Sequence, residues 1–367
     1  MNDILVNKKL LITGEGWYIN RYHLLIKALQ KHFNHIETLD FPPPTSNKKR
    51  FITRIINRLP YLNYFTKNFD SSLTTWAFKY RSRLLQKRVA ELKPDIVLQI
   101  FGKACSVKNN DIPFAMMLDY TVAIAEKKHP AKRFVSPKSK KEYMEKERAA
   151  YESATYLFSW SNIVAQSLQT DYGIDRKNII ITGAGGNVQD TFTHEKKFGS
   201  KIILFNGSDF HRKGGDILIE AFKKVHAIDS SIKLYIIGVN KGIDAENVLY
   251  KGNADREELK KLFAECDIVV APARCDPFPG FIIEAMQFGI PCIVSSNDGM
   301  PEIVDNQHNG IVLAELSASQ LATAITGLLN DHATLVKYSK AAQDKIKSTL
   351  NWDVVAANIA AAFASCF

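Results

Sequence analysis

Two acidic residues, Asp276 and Glu284, follow an apolar run that ends at Ala271. The run predicts a buried strand, the Pro- and Gly-rich turn after it predicts a loop, and a helix is predicted to begin near Phe281. Both acids are then expected at the carboxyl edge of a parallel sheet, where open α/β sheets bind ligands. There the amides of Gly280 and Phe281 suit a phosphate, and the carboxylates suit sugar or ribose hydroxyls. Taken alone, an Asp and a Glu at this spacing are more often a turn cap and a solvated helix residue.

A second candidate segment lies at residues 205–222. An apolar run ends just before Gly207, and the loop after it carries Arg212 and Lys213 ahead of an amphipathic helix. Clustered cations on a strand-to-helix loop suit a diphosphate, because they neutralise its charge. Without the first segment this pattern favours phosphate binding only weakly, since basic loop residues are commonly solvated.

Together the two segments resemble the signature of the retaining glycosyltransferases of family 4, the glycosyl transferases group 1. That signature is an acidic residue, seven further residues, a Glu followed by Ala-Met, then Gly-x-Pro and a Gly-x-Pro-Glu turn. This chain matches it at Asp276, Glu284, Gly289, Pro291 and residues 299–302. In the family the first acid, usually a Glu, approaches the transferred sugar, and the second binds the ribose of the nucleotide. The resemblance therefore implies catalytic roles for Asp276 and Glu284.

The phosphate loop departs from the family pattern at one position. Family members carry an Arg where this chain has Ser208, followed by a Lys-Gly pair that matches Lys213–Gly214. Arg212, directly before that pair, is expected to supply the missing positive charge. The resemblance is good over residues 200–365, whereas over residues 1–195 it depends on a glycine turn and the general layout.

The first half of the chain offers fewer candidate residues. Gly14 and Gly16 form a turn after the first predicted strand and are expected to bring backbone amides near the donor phosphate or the acceptor, although simple turn chemistry explains such a turn equally well. Asp119 ends an apolar run and is the expected substrate-orienting acid or base in this half. His129 is a poorer candidate, because its Lys-Lys-His-Pro context favours a solvated loop.

Short apolar runs alternate with amphipathic stretches along the chain, a rhythm that predicts parallel sheets with crossover helices. One long helix is predicted over residues 18–32. Strands are predicted at 9–13, 35–40, 95–101, 113–118, 155–159 and 178–182, and then at 202–206, 233–237, 267–271 and 292–295.

The resemblance implies an α/β fold of the GT-B type, in which two Rossmann-like domains face each other across a cleft. The predicted boundaries are an acceptor domain over residues 1–190, a nucleotide-sugar donor domain over 191–350, and a final helix over 351–367 that crosses back to the first domain. A polar, Gly-rich stretch at 183–200 predicts the linker.

The net charge of +10 is unevenly distributed. Residues 1–190 hold 30 Lys and Arg against 17 Asp and Glu, a balance of +13, while the remainder has a balance of −3. Such a field attracts phosphate-bearing partners, although the same charge also suits a surface that is only solvated. With the amphipathic, aromatic-rich stretch 50–68 it predicts peripheral contact with an anionic membrane at its inner face. No recognisable nucleic-acid module accompanies the charge, so no nucleic-acid partner is predicted.

The five cysteines include no Cys-x-x-Cys pair, and an odd, unpatterned count is typical of reduced thiols in the cytoplasm. No run approaches the roughly 20 apolar residues of a membrane-spanning helix, and the N-terminus lacks the layout of a signal peptide. Neither the cysteines nor the nine histidines show metal-ligand spacing. The sequence therefore predicts no metal and no bound cofactor.

From the resemblance, the predicted activity is transfer of a hexosyl group from a UDP- or GDP-sugar to a glycan, glycolipid or other glycoconjugate acceptor. The resemblance implies retention of anomeric configuration without a metal ion. Two alternatives stay open: an epimerase of the same architecture that acts on the nucleotide-sugar without an acceptor, and a non-catalytic paralogue that binds nucleotide or membrane as a partner subunit.

Overall fold

A computed structural model describes residues 3–41, 73–101, 112–128, 134, 136–188 and 195–367. The stretch 50–68 and His129 lie outside these residues. The chain divides into two compact units, which are considered separately: unit 1 comprises residues 1–182 and 356–367, and unit 2 comprises residues 183–355. No helix in the described part of the chain is both long and apolar enough to cross a bilayer.

Unit 1 contains a parallel sheet covered by helices. Its described strands are β1 (Lys9–Glu15), β2 (His35–Phe41), β3 (Ile96–Ile100), β4 (Phe114–Leu118), β5 (Tyr156–Ser159) and β6 (Ile179–Ile181). Its helices before the second unit are α1 (Asp3–Val6), α2 (Gly16–Arg21), α3 (His23–Leu29), α4 (Thr75–Leu92), α5 (Val122–Lys128), α6 (Pro137–Glu152) and α7 (Asn162–Thr170). The sheet order is β2-β1-β3-β4-β5-β6. Every residue of β3 and β4 is buried, as expected of central parallel strands with helices on both faces.

Unit 2 contains a second parallel sheet. Its strands are β7 (Ile202–Asn206), β8 (Lys233–Ile237), β9 (Val248–Gly252), β10 (Ile268–Ala271), β11 (Cys292–Ser295) and β12 (Gly310–Leu313). The helices that follow in the chain are α8 (Gly215–Ile228), α9 (Arg256–Glu265), α10 (Gly280–Gln287), α11 (Met300–Ile303), α12 (Ala318–Leu329), α13 (His332–Ser348) and α14 (Trp352–Ala364). The order β12-β11-β10-β7-β8-β9 is the Rossmann order.

Each sheet has one point where the order of its strands reverses. In unit 1 the chain fills one side of β1 with β2 and then the other side with β3 and its successors. In unit 2 the corresponding reversal lies between β7 and β10. Crossover connections diverge at such a point and leave a crevice at the carboxyl ends of the two strands, which is where open α/β sheets bind ligands.

The predicted secondary structure differs from the structure at two places. The helix predicted over 18–32 is two helices, α2 and α3, because the backbone leaves helical geometry at Tyr22. The Tyr22 side chain is buried with its ring 5.2 Å from that of Phe101 and 5.6 Å from that of Trp160. The edge strand β12 was not expected as a strand, since it is only four residues long and two of them are half-buried.

The last helix, α14, carries the chain back into unit 1, since the division between the units falls at Val355–Ala356. Within unit 1 the Phe363 side chain is fully buried, with its ring 5.8 Å from that of Phe158 in an edge-on arrangement. The hydroxyls of Tyr156 and Ser365 share a hydrogen bond of 2.7 Å. The end of the chain therefore supplies part of the core of unit 1.

A buried carboxylate joins three helical segments of unit 1. Glu147 on α6 is 4% exposed, and its Oε1 accepts a hydrogen bond of 2.9 Å from the Tyr151 hydroxyl. Its Oε2 accepts from the Tyr172 hydroxyl, whose oxygen in turn accepts from the amide of Ala123 in α5 at 3.2 Å. Burial raises the pKa of Glu147 to about 7, although the two tyrosine hydrogen bonds favour the charged form and oppose the shift.

We expect Glu147→Gln to make stability less dependent on pH. Because burial raises the folded-state pKa of Glu147 from 4.5 to about 7, the folded protein holds this proton more tightly than the unfolded chain. Stability from this group is therefore complete below about pH 4.5 and is lost as pH rises through about 7. At about 1.4 kcal/mol per pKa unit, the wild type should lose about 3 kcal/mol relative to the Gln variant. Urea melts of both proteins between pH 4.5 and 8 measure this difference, and a difference that stays constant with pH would contradict the prediction.

Candidate functional site

The candidate site of unit 2 lies at the reversal point between β7 and β10. The loop 207–214 leaves the carboxyl end of β7, and the loop 272–279 leaves the carboxyl end of β10. A small pocket between them is lined by Phe205, Asn206, Lys213, Val270, Ala271, Ala273, Asp276, Pro279, Phe281 and Ile282. The structure thus brings Lys213, Asp276 and Phe281, all expected from the sequence, to one pocket.

The two loops touch through their backbones. Gly214 has a positive φ of 77°, and a β-carbon at this position would overlap the carbonyl oxygen of Pro272. Glycine meets both requirements, since it adopts positive φ without strain and leaves room for the neighbouring carbonyl. Gly207 begins the same loop, where its amide donates to the carbonyl of Ile237 at 2.8 Å.

Arg274 fastens the two loops together. Its Nη1 and Nη2 donate to the two carboxylate oxygens of Asp216, each at 2.7 Å, and Nη1 also donates to the carbonyl of His211 at 2.6 Å. Its backbone amide donates to the carbonyl of Arg212 at 2.9 Å. The hydrogen bond from Arg274 lowers the pKa of Asp216, which keeps this carboxylate charged. A planar guanidinium is suited to such a two-pronged contact with a carboxylate.

Arg212 and Lys213 both approach the carboxylate of Asp276. Arg212 donates from Nε to Asp209 at 2.6 Å and from Nη1 to the carbonyl of Cys275 at 2.6 Å. Its Nη1 lies 3.7 Å from Oδ2 of Asp276, and Nζ of Lys213 lies 3.8 Å from the same oxygen. Lys213 lines the pocket. The guanidinium of Arg212 joins the basic loop to the acidic loop. The basic loop therefore supplies two positive charges next to the first acid of the motif.

Asp298 positions the main chain of Asp276. Its Oδ2 accepts from the amide of Asp276 at 2.9 Å, and its own backbone has a positive φ of 52°. The next residue, Gly299, donates from its amide to the carbonyl of Pro277 at 3.0 Å. An Asp suits this position, because Asp tolerates positive φ better than most residues.

Helix α10 begins at Gly280, directly after the acidic loop, with Pro279 as its N-cap residue. The amides of the first helical turn, which include Gly280 and Phe281, have no acceptor within the helix, and the helix dipole adds partial positive charge there. A β-carbon added at Gly280 would meet no described atom within 4 Å. The helix start therefore has amide donors without helical acceptors, and the space on the β-carbon side of Gly280 is open.

Glu284 lies one turn into α10 and contacts the chain that enters unit 2. Its Oε1 accepts from the amide of Asn187 at 3.0 Å, and a β-carbon added at Gly186 would lie 3.0 Å from its Cγ. Gln287, three residues later, donates to the carbonyl of Val188 at 3.1 Å. Glu284 is thus next to the pocket-lining helix turn, with one oxygen engaged by the segment 186–188.

The remaining candidates, Gly14, Gly16 and Asp119, belong to unit 1. Gly14, the last residue but one of β1, lies so close to β3 that an added β-carbon would be 2.8 Å from the carbonyl oxygen of Ile100. Gly16 begins α2 against the carboxylate of Asp40, and Asp119 directly follows β4. All three lie at the carboxyl edge of the sheet of unit 1. Among the residues that the structure describes, no three His, Cys, Asp or Glu side chains gather closely enough to hold a metal ion.

Part of unit 2 is similar in sequence to known glycosyltransferases. A profile of the glycosyl transferases group 1 family matches residues 188–345. An uncharacterized glycosyltransferase of Methanocaldococcus jannaschii is 29% identical over 167 residues, which cover 42% of this chain and 43% of that protein. The alignments span between about a quarter and less than half of the length of the first curated relatives.

Solved structures resemble the chain over almost its whole length. The sucrose-phosphate synthase of Thermosynechococcus elongatus has a TM-score of 0.68 at 14% identity and covers 98% of this chain and 99% of that one. Anabaena HepE, solved in complex with UDP and glucose, has a TM-score of 0.64 at 13% identity and covers 98% and 100%. The fold is therefore the α/β GT-B fold, as predicted, and residues 188–345 match the glycosyl transferases group 1 profile.

We expect Arg274→Ala to loosen the basic loop. The substitution removes one side-chain hydrogen bond to the basic loop and two to the first turn of α8, and it leaves Asp216 without its bidentate partner. Unit 2 should lose about 1–3 kcal/mol of stability, with faster amide hydrogen exchange over residues 207–214. Arg274→Lys should recover little, because an ammonium group lacks the planar fork.

The matched control for this prediction is Lys223→Ala, which removes an exposed cation from α8. Its stability and its exchange over 207–214 should equal those of the wild type. Unchanged exchange in Arg274→Ala would show that the loop is held by other contacts.

Proposed function

We propose that this protein is a glycosyltransferase that moves a hexosyl group from a UDP- or GDP-sugar to a glycan, glycolipid or other glycoconjugate acceptor. The observation that carries the proposal is the meeting of Lys213, Asp276 and the start of α10 in one pocket. The pocket lies at the reversal point of the Rossmann-ordered sheet, within the segment matched by the glycosyl transferases group 1 profile. HepE, a protein of the same fold, has been solved with UDP and with UDP-glucose.

In this proposal the donor diphosphate binds at the start of α10, opposite Lys213. The diphosphate gains negative charge as the bond to the sugar breaks, so cations and helix amides fixed beside it stabilise the transition state more than the ground state. Arg212 adds a second cation within 3.7 Å of Asp276 and keeps the basic loop in position. These residues provide for departure of the diphosphate without a metal ion, as the family resemblance implies.

Asp276 is proposed to orient the transferred sugar. Its carboxylate lies 3.7 and 3.8 Å from the cationic nitrogens of Arg212 and Lys213, which offset its charge beside a diphosphate. The Asp298 carboxylate fixes its backbone through the hydrogen bond at 2.9 Å. A carboxylate held in this way accepts hydrogen bonds from sugar hydroxyls in one geometry, and the family resemblance implies transfer with retention of configuration.

Glu284 is proposed to bind the ribose of the nucleotide. The hydrogen bond from Asn187 engages Oε1, and a carboxylate has about four acceptor positions. The ribose hydroxyls therefore share this carboxylate with the backbone of the segment that enters unit 2. Gly14, Gly16 and Asp119 of unit 1 are proposed to serve the acceptor.

The test of this proposal separates binding of the nucleotide from transfer of the sugar. Asp276→Asn should lower transfer by about ten- to a hundredfold, while affinity for free UDP or GDP is kept or increases, because the Asn no longer competes with phosphate for Arg212 and Lys213. Glu284→Ala should weaken nucleotide-sugar and free nucleotide alike, since both contain the ribose. The measurements are thermal shift with UDP, GDP and their sugars, and release of nucleoside diphosphate with and without acceptor. Glu220→Gln, an exposed acid on α8, is the control and should match the wild type.

The outcomes also separate the alternatives. Conversion of the donor into an isomer without acceptor would identify an epimerase, and nucleotide binding without any turnover would identify a non-catalytic protein. Equal losses of UDP and UDP-sugar affinity in Asp276→Asn would remove Asp276 from contact with the sugar.

The basic first half is proposed to hold the protein at an anionic membrane surface. Its balance of +13 over residues 1–190 carries this proposal, because basic residues near such a surface contribute about 1 kcal/mol each. Co-sedimentation with vesicles should rise with the fraction of anionic lipid and fall with salt. Absence of binding at low salt would favour a freely diffusing acceptor instead.

A further inference from the structure

Aromatic rings from three chain segments meet at the carboxyl edge of the sheet of unit 1. The ring of Phe101, directly after β3, lies 5.1 Å from that of Tyr18, 5.2 Å from that of Tyr22 and 4.6 Å from that of Trp160, which follows β5. Tyr22, Phe101 and Trp160 are almost fully buried. Edge-on and tilted ring packing of this kind forms a firm base.

Trp17 lies on this base with one face toward solvent. Its ring stacks on that of Tyr18 with centroids 3.6 Å apart and an angle of 30° between planes, and its indole nitrogen donates to Oε2 of Glu15 at 3.1 Å. Its side chain nevertheless stays 53% exposed. A tryptophan that is fixed on one face and at its polar edge presents the other face as a preformed apolar surface.

Trp17 lies at the carboxyl edge of the sheet of unit 1, beside the reversal point where such a sheet is expected to bind a ligand. Trp17 is the second residue after β1, and β1 and β3 flank the reversal point of unit 1. Gly14 lets the end of β1 approach the carbonyl of Ile100 in β3, so helix α2, which carries Trp17, starts at the crevice itself.

Two carboxylates lie near the stacked pair of Trp17 and Tyr18. Burial raises the pKa of Tyr18, and the negative charges of Asp119 and Glu15 nearby raise it further, so Tyr18 keeps a neutral hydroxyl. Although residues 1–190 carry a balance of +13, Glu15 therefore borders Trp17 itself and Asp119 acts on the neighbouring Tyr18. Carboxylates accept hydrogen bonds from hydroxyl groups and repel phosphates.

We propose that Trp17 is the platform on which a neutral sugar ring of the acceptor stacks, with Glu15 and Asp119 accepting hydrogen bonds from its hydroxyls. The C–H groups on one face of a pyranose carry partial positive charge, which suits the electron-rich face of an indole. This inference rests on the proposed function, and it specifies the part of the acceptor next to the site as an uncharged glycan unit.

The test observes Trp17 directly. The chain has four tryptophans, so protein labelled with 5-fluorotryptophan gives four fluorine signals, and Trp17→Phe identifies the one that belongs to Trp17. The probes are the methyl glycosides of glucose, galactose, mannose and N-acetylglucosamine, with inorganic phosphate as the charged probe. At least one glycoside should shift the Trp17 signal in a saturable way, and phosphate should not. Asp119→Asn should raise the midpoint of that titration at least threefold. The proposal would be overturned if no glycoside shifts the Trp17 signal, or if phosphate shifts it as much as a glycoside does.

Kinetics supply an independent readout. With the methyl glycoside that shifts the Trp17 signal as acceptor, Trp17→Ala should raise its KM at least tenfold, while hydrolysis of the donor without acceptor and affinity for UDP or GDP stay as in the wild type. Phe367→Ala is the matched control, since Phe367 is a 49% exposed aromatic of unit 1 that lies beside Lys8, before the start of β1. An equal acceptor KM in wild type and Trp17→Ala would overturn the proposal. If the wild type neither hydrolyses the donor nor binds nucleotide, the proposed function is refuted. The sugar titration does not depend on that outcome, so the two failures can be told apart.

Discussion

The close approach of two loop backbones, at Gly214 and Pro272, is the constraint on which the candidate donor pocket depends. No side chain fits between the α-carbon of Gly214 and the carbonyl of Pro272, so the basic loop after β7 lies directly on the acidic loop after β10. Arg274 holds this arrangement through Asp216 and the carbonyl of His211. Because the loops are fixed to each other, Lys213 and Asp276 keep a defined separation before any ligand arrives, which is the condition for electrostatic preorganisation.

The charges around Asp276 offset one another. A carboxylate close to a bound diphosphate would ordinarily repel it, yet here Arg212 and Lys213 both lie within 4 Å of the Asp276 carboxylate. Asp298 adds a further carboxylate nearby, but it accepts a backbone hydrogen bond from Asp276 and so serves the shape of the loop. Asp276 can therefore orient sugar hydroxyls while Arg212 and Lys213, next to it, bind phosphate. Neither group prevents the other from binding its part of the donor.

The sequence located the main features of the fold because they depend on local patterns. Continuous apolar runs marked β3, β4, β7 and β10, and the spacing of Asp276, Glu284 and Lys213 marked the loops that carry them. Local patterns do not predict contacts between distant parts of the chain. The pairing of Arg274 with Asp216 joins residues 58 positions apart, and nothing in either local context indicates it. The break at Tyr22 was missed for the same reason, since it coincides with burial of that ring against Phe101 and Trp160.

The return of α14 to unit 1 has a consequence for how the protein is made. Unit 2 is one uninterrupted stretch of chain, whereas unit 1 needs residues 356–367 together with residues 1–182. During synthesis the buried place of Phe363 beside Phe158 stays unfilled until the whole of unit 2 has left the ribosome. Domains commonly fold in the order in which they are synthesised. In this chain the second unit is instead the first to have its full set of residues, and the core of unit 1 is completed last.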